Sequence, residues 1–296
     1  MQLIVTDLDG TLLNSKHEIS AENIEALKFA QKQGIEVAIA TGRTYGNTLA
    51  LCKKAGLKLH IISNNGSFVY TENGKMLMEN GLDIQNAKNA LYWLQDNNYS
   101  YSICTNRNFF MPDNTSSILT SDFENAKDID SIWNRVNVKQ MINSKILALD
   151  GLRLMKNVAE VFEQQVTIGH ISVTTFDKDK FSKGKEYFSA NKDLSVVTSE
   201  SIIFDLMNNS TSKGNGLQYL INYLKIPFQD VMAIGDNYND ISMLERVGHS
   251  VAIGNAEETV KKICKHISLT NDLNGVAHII NRIIPNCTIR FINHVG

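Results

Sequence analysis

An acidic pair closes the first apolar run of the chain, which reads Asp7-Leu8-Asp9-Gly10-Thr11 at its end. In an extended segment side chains alternate between faces, so Asp7 and Asp9 project to the same side. Two carboxylates this close repel each other unless a cation or a shared proton intervenes. Taken alone the pair also fits a turn, because Asp and Gly after a strand are ordinary turn chemistry. A second acidic group narrows the choice. The buried-strand pattern at 231–234 runs into Gly235-Asp236-Asn237-Tyr238-Asn239-Asp240. Asp236 falls at the strand's carboxyl end and Asp240 one helical turn further on. Helix capping accounts for either acid singly, but it does not explain both clusters together. Four carboxylates gathered at one sheet edge are hard oxygen donors of the kind that suits Mg²⁺.

Two further segments fit a phosphate site. Strand two ends in Ala40-Thr41-Gly42-Arg43, a hydroxyl and backbone N–H groups just before a helix, where anions are favoured. Ser212-Lys213-Gly214 precedes another helix, and a lysine is a mobile point charge able to neutralise phosphate oxygens. Each segment is weak alone; the conjunction of the four, in this order and at strand ends, is specific. Arg43 is expected to face a helix surface or pair with an acid rather than bind phosphate.

The set Asp7-x-Asp9-Gly-Thr, Thr41, Lys213 and Gly-Asp236-x-x-Asn239-Asp240 resembles the four motifs of the haloacid dehalogenase (HAD) superfamily, and more narrowly its Cof-type (IIB) sugar-phosphate phosphatases. The resemblance spans the chain except for residues after about 285. It implies a Rossmann-like parallel-sheet α/β core with an inserted α+β cap of the C2B type. It implies Asp7 as the nucleophile, forming an aspartyl-phosphate, and Asp9 as the acid that protonates the leaving group and then activates water. Phosphate would be held by the amides near Leu8 and Gly42 with Thr41, Lys213 and Asn239. Mg²⁺ would be held by Asp7, the main-chain carbonyl of Asp9 and Asp236, while Asp240 would act through water or orient Lys213. In the related transport ATPases the second acid is replaced, so Asp9 points to a phosphatase. The expected activity is Mg²⁺-dependent hydrolysis of small phosphorylated metabolites, sugar phosphates foremost. A phosphotransferase or mutase would use the same intermediate. A non-catalytic phosphometabolite-binding regulator should lack one of the acids, and none is missing.

The elements that must position these residues follow from periodicity. Short β-branched runs at 3–6, 35–40 and 60–63 alternate with helical patterns from Ser20 to Gly34 and on to about Gly56, which reads as βαβ units and a parallel sheet. A hairpin over 66–79 turns at Glu72-Asn73-Gly74. The rhythm resumes with a helix at 216–224, strands at 231–234 and 250–253, and helices at 239–247, 256–264 and 274–283. Between them lie a helix at 84–96, strands near 100–105, 145–149 and 168–175, a helix at 152–164, and strands at 195–198 and 201–207. The gap of 31 residues from Asp9 to Thr41 holds one helix and one strand, whereas the 171 from Thr41 to Lys213 hold an independent domain. The expected division is a catalytic core of 1–82 with 209–296, and a specificity cap of 83–208.

Composition sets the outer limits. The 296 residues carry a net charge of −2 with 43% hydrophobic and 20% charged residues, ordinary for a globular chain and without the basic excess of a nucleic-acid binder. The four cysteines are scattered with no C-x-x-C, against a zinc cluster or a disulfide framework and in keeping with a reduced, cytoplasmic setting. No apolar stretch is long enough to cross a bilayer, so no membrane partner is expected; oligomeric state stays open. His60, His170 and His249 show no partner in the sequence, and Tyr92 and Trp93 read as cap packing. Arg107, Lys145, His170 and Thr175 are the polar residues nearest the cap's expected strands.

Overall fold

In the computed structural model, which describes residues 1–126 and 152–284, the apolar runs form strands whose alternate residues enter two separate cores. The chain opens with β1 (Leu3–Thr6), α1 (Ala21–Lys32), β2 (Glu36–Ala40), α2 (Tyr45–Lys54), β3 (His60–Ser63), β4 (Phe68–Tyr70) and β5 (Met76–Glu79). The inserted segment contains α3 (Ile84–Asp96), β6 (Ser100–Thr105), β7 (Phe109–Pro112), α4 (Thr115–Asn125), β8 (Leu152–Met155), α5 (Ala159–Phe162), β9 (Ile168–Thr174), α6 (Lys178–Ser189), β10 (Leu194–Glu200) and β11 (Ile203–Asn208). The chain then returns as α7 (Lys213–Leu224), β12 (Val231–Gly235), α8 (Ile241–Leu244), β13 (His249–Ala252), α9 (Glu258–Ile263), β14 (His266–Ile267) and α10 (Gly275–Ile283).

The first sheet has the order β14-β13-β12-β1-β2-β3-β4-β5. Its strands from β14 to β3 are parallel, and β4 turns back antiparallel on β3. Strands buried on both faces read as continuous apolar runs rather than alternating ones. Ile4, Val37, Ile39 and Ile234 pack with Leu27 of α1 and Ile279 and Ile280 of α10 on one face. Leu3, Val5, Ala38 and Ala233 pack with Leu217, Leu220 and Ile221 of α7 on the other. Buried Asn23 pins the first of these layers, donating to the Leu12 carbonyl at 3.2 Å and accepting from Ala277 N at 2.9 Å. The N-cap of α1 is Ser20, whose hydroxyl accepts from Asn23 N, so one helix start serves both capping and layer packing.

The second sheet has the order β10-β11-β9-β6-β7-β8. The pairs from β10 to β7 are antiparallel, and β8 lies parallel to β7. One face is apolar: Tyr101, Ile103, Ile171, Val173, Phe204 and Leu206 pack against Leu91 and Leu94 of α3 and Phe188 of α6. The described residues divide into two compact units, 1–42, 48–78 and 212–284 in one, and 43–47, 79–126 and 152–211 in the other. This is the expected mixed α/β core carrying a parallel sheet, with a separate β-rich cap.

Several local expectations need correcting. The helix at 152–164 is instead β8 followed by the short α5. Leu and Met favour helix, yet pairing of Leu152–Met155 with Phe109–Pro112 wins, since tertiary contacts override a weak propensity. The helix at 239–247 is a single 3₁₀ turn (Tyr238–Asp240) and the four-residue α8. β7, α4 and α6 are additional elements. Tyr92 is exposed rather than packed, while Trp93 stacks on Tyr187 at 4.2 Å. The strand expected at 145–149, and with it Lys145, lies outside the described residues. Among the described residues no helix is long and apolar enough to cross a membrane.

Candidate active site

Parallel registry places the two acidic segments side by side. Leu3 to Thr6 pair in order with Val231 to Ile234, and Asp7 N donates to the Ile234 carbonyl at 2.9 Å. Asp7 and Asp236 therefore leave adjacent strands at the same carboxyl edge, where open α/β sheets bind ligands. Asp7, Asp236 and Asp240 each offer a carboxylate oxygen, and these oxygens lie within 4.8 Å of one another. Gly10 lets the chain fold tightly over this point. Its φ of +78° is left-handed, and a Cβ there would sit 2.5 Å from Asp236 Oδ2. Thr11 donates its hydroxyl to Asp236 Oδ1 at 2.6 Å.

Lys213, the first residue of α7 and 1% exposed, reaches into the cluster. Its Nζ donates to Asp7 Oδ1 at 2.5 Å and to Asp240 Oδ1 at 2.7 Å. The other oxygen of Asp240 accepts from Asp236 N at 2.9 Å and Asn237 N at 3.1 Å. Both oxygens of Asp240 are thus engaged within the protein, one on the lysine and one on the turn that follows β12. Close packing makes this reach possible: a Cβ on Gly214 would strike the Ser242 carbonyl, and one on Gly235 would come within 2.6 Å of the Asp240 carboxyl carbon.

The electrostatics follow from burial and charge count. Burial raises the Asp7 carboxyl well above the usual carboxylate range even though Lys213 pulls it down, with Asp240 and Asp236 adding to the rise. Burial, and then Asp240, push Asp236 up to about 6 against the opposing effects of the Thr11 hydroxyl and Lys213. Lys213 is the reverse case. Burial works against its charge, but Asp240 and Asp7 more than offset this and raise its pKa, so it is a fixed cation. Three carboxylates around one ammonium make a donor set of hard oxygens with excess negative charge, and such a set fits a divalent ion bound through oxygen.

A second group lies on the neighbouring strand ends. Thr41, just past β2, is buried, and its backbone N donates to the Ile62 carbonyl at 2.8 Å. Asn65 N donates to the Thr41 carbonyl at 2.9 Å, and the Asn65 carboxamide accepts from Asn239 Nδ2 at 3.1 Å. A Cβ on Gly42 would meet that same carboxamide at 3.3 Å. Thr41, Gly42 and Asn239, expected as phosphate contacts, are so brought together through a residue that sequence reasoning missed. Its signal was present as Asn64-Asn65-Gly66 immediately after a strand, a turn signature.

The remaining candidates separate from these groups in different ways. The Asp9 side chain is exposed, and the Leu8 side chain is fully buried in the core, leaving only its backbone for an anion. Arg43 is half-buried. His60 gains partners: its ring lies 3.1 Å from Glu36 Oε2 and accepts from Glu72 N at 3.1 Å, which ties it to the start of β2 and to the turn after β4. In the cap, Thr175 accepts from Asp177 N and donates to Asp122, Arg107 is exposed, and buried His170 has Nδ1 unpaired among the described residues. Burial lowers the pKa of His170, and that of His249 as well.

Comparison with known proteins agrees with this geometry. The model of the haloacid dehalogenase-like hydrolase family matches residues 4–280. Phosphatase YwpJ of Bacillus subtilis is 34% identical over 96% of this chain and 100% of its own length. The 5-amino-6-(5-phospho-D-ribitylamino)uracil phosphatase YwtE of the same organism is 30% identical over 96% of this chain and 98% of its own. A solved haloacid dehalogenase-like hydrolase from B. subtilis superposes with a TM-score of 0.83 at 34% identity, covering 96% of this chain and 100% of that one. With both acidic segments on adjacent strand ends and a β-rich cap inserted between Thr41 and Lys213, the chain belongs to the haloacid dehalogenase-like hydrolase family.

Proposed function

We propose that the protein is a Mg²⁺-dependent phosphatase that hydrolyses phosphomonoesters of small polyhydroxylated metabolites, sugar and sugar-alcohol phosphates foremost, through an aspartyl-phosphate on Asp7. The observation that carries this reading is the cluster itself: Asp7, Asp236 and Asp240 within 4.8 Å of one another, with Lys213 bonded to two of them. A Asp7 carboxylate oxygen attacks phosphorus as the bond from phosphorus to the ester oxygen breaks, and Asp9 gives its proton to that leaving oxygen. Asp9 then takes a proton from water as the water oxygen attacks phosphorus, which frees inorganic phosphate and restores the Asp7 carboxylate. Splitting hydrolysis in this way replaces one difficult displacement by two easier ones. The exposed position of Asp9 supports a group that meets substrate and water.

Asp7, the Asp9 main-chain carbonyl and Asp236 are the residues that would hold Mg²⁺, and the ion would supply positive charge against the phosphoryl oxygens. Asp240, with both oxygens engaged inside the protein, fits the role of orienting Lys213. Lys213 keeps a positive charge beside Asp7 where an anionic phosphate must approach, and Thr41, Gly42, the Leu8 amide and Asn239 would complete the phosphate contacts. The residues 83–208 would form the specificity cap on a core of 1–82 and 209–296. The 30% identical YwtE, named for a phosphate ester of a ribityl chain, supports a polyol on the leaving side.

The test is turnover of an aryl phosphate and of a panel of sugar and polyol phosphates. Asp7→Asn should abolish both while leaving the fold intact, and EDTA should remove activity that Mg²⁺ restores. Turnover retained by Asp7→Asn, or by the chelated enzyme, overturns the reading.

A further inference from the structure

The turn after β3 is built at a local cost that its own contacts do not repay. Asn64, Asn65 and Gly66 have φ of +50°, +54° and +102°, three successive left-handed residues of which only the last is a glycine. Asn64 is fully buried, yet among the described residues neither polar atom of its carboxamide has a hydrogen-bond partner, and the buried Ser63 hydroxyl has none either. Backbone strain and unsatisfied buried polar groups persist where the surroundings impose them, and they gather at functional sites.

The contacts of this turn run to three of the four chemical segments. Asn65 N holds the Thr41 carbonyl, and its carboxamide lies over Gly42 while accepting from Asn239 Nδ2. Gly66 packs so tightly against the Ser212 carbonyl and Lys213 N that a Cβ cannot be placed there, and a Cβ on Gly216 would come within 3.1 Å of the Gly66 Cα. The turn is therefore wedged beneath the start of α7, which carries Lys213.

We propose that Asn65 is a positioning residue for phosphate: its carboxamide oxygen takes one N–H of Asn239 and so fixes which face of that amide is left for the anion, while its backbone sets the Thr41–Gly42 segment. This inference rests on the phosphate-binding role given above to Asn239 and Thr41. An amide fixed by a neighbour presents its remaining donor without losing rotamer freedom on binding, the advantage of a locked supporting shell.

Asn65→Gly keeps the left-handed backbone and removes only the carboxamide, so the turn is spared. With Asn239→Ala and the double variant it closes a cycle, read by calorimetric titration of inorganic phosphate into the Mg²⁺-loaded protein and by KM and kcat for an aryl phosphate. Asn65→Gly should weaken phosphate binding and raise KM by about three- to tenfold, the range of one hydrogen bond, with kcat falling less. The double variant should bind phosphate no more weakly than Asn239→Ala, because Asn65 acts through Asn239. Parental phosphate affinity in Asn65→Gly, or losses that multiply in the double variant, overturns the inference. A parent that binds phosphate but turns over no ester refutes the phosphatase reading instead, and the titrations still decide the role of Asn65.

Discussion

Asp236→Asn should make the metal-free protein more stable while depriving it of its response to Mg²⁺. Without a bound cation Asp236 ionises only against burial and the neighbouring Asp240, so its folded pKa is about 6 in place of the usual 3.8. At about 1.4 kcal/mol per pH unit, that rise costs the folded protein about 3 kcal/mol once the group is ionised in both states. The sign follows from proton binding. Between 3.8 and about 6 the folded state binds more protons than the unfolded one, so stability falls as pH rises through this window and stays low above it. An asparagine carries no charge, and its carbonyl can still accept the Thr11 hydroxyl that Asp236 Oδ1 accepts at 2.6 Å. In EDTA at pH 8 the variant should therefore unfold at a higher urea concentration than the parent, by about 3 kcal/mol, with the advantage about halved at pH 5 and well under 1 kcal/mol near pH 4. Added Mg²⁺ should raise the parent's midpoint and leave the variant's nearly unchanged. A variant less stable than the parent at pH 8 in EDTA, or an advantage that does not shrink toward pH 4, refutes the reasoning.

Removing the cation should do the opposite. Lys213→Met leaves two buried carboxylates with no counter-charge, so we expect a loss of about 3–5 kcal/mol in urea unfolding together with loss of aryl phosphate turnover; parental stability would count against the ion pairs as drawn. Gly10→Ala combines a left-handed φ of +78° with a Cβ only 2.5 Å from Asp236 Oδ2. It should displace that carboxylate and raise the Mg²⁺ concentration for half-maximal activity by about tenfold or more, at a backbone cost of about 1–3 kcal/mol, and an unchanged Mg²⁺ titration would show that the site does not depend on this close approach.

The chemistry of the site was more legible in the sequence than the cap was, and the reason is physical. Asp7 and Asp236 follow strands buried on both faces, and a run such as Val231–Ile234 has only one way to end at a ligand-binding edge. From the sequence Lys213 is expected as a charge for phosphate; that it bonds to both Asp7 and Asp240 depends on how closely Gly214 and Gly235 let backbone segments approach. In the cap, Leu152–Met155 carries residues that favour helix and becomes a strand through its partner β7, an effect no local window contains. α6 was legible and overlooked: Asp177 caps it by accepting from Asp179 N and Lys180 N, and Phe181, Gly184 and Phe188 share a face at helical spacing. α4, with Thr115, Ser116 and Ser117 in its first turn, has little intrinsic preference to read.

The turn at Asn64–Gly66 shows where motif reading stops. A motif is found because its residues touch the substrate or its ion, and it is silent about what holds them. Asn65 contributes no charge or nucleophile, yet it bonds both to the segment after β2 and to the segment after β12. Those segments are separated by about two hundred residues of chain, so their relative placement is fixed only by the sheet registry and by such bridges. Registry sets strand ends to within one residue, since a slip of one turns every side chain to the other face. It does not set the rotation of an amide such as Asn239. That last degree of freedom needs a side chain from a third strand end, and a strained turn that presents one justifies its cost only if the rotation of that amide matters to binding.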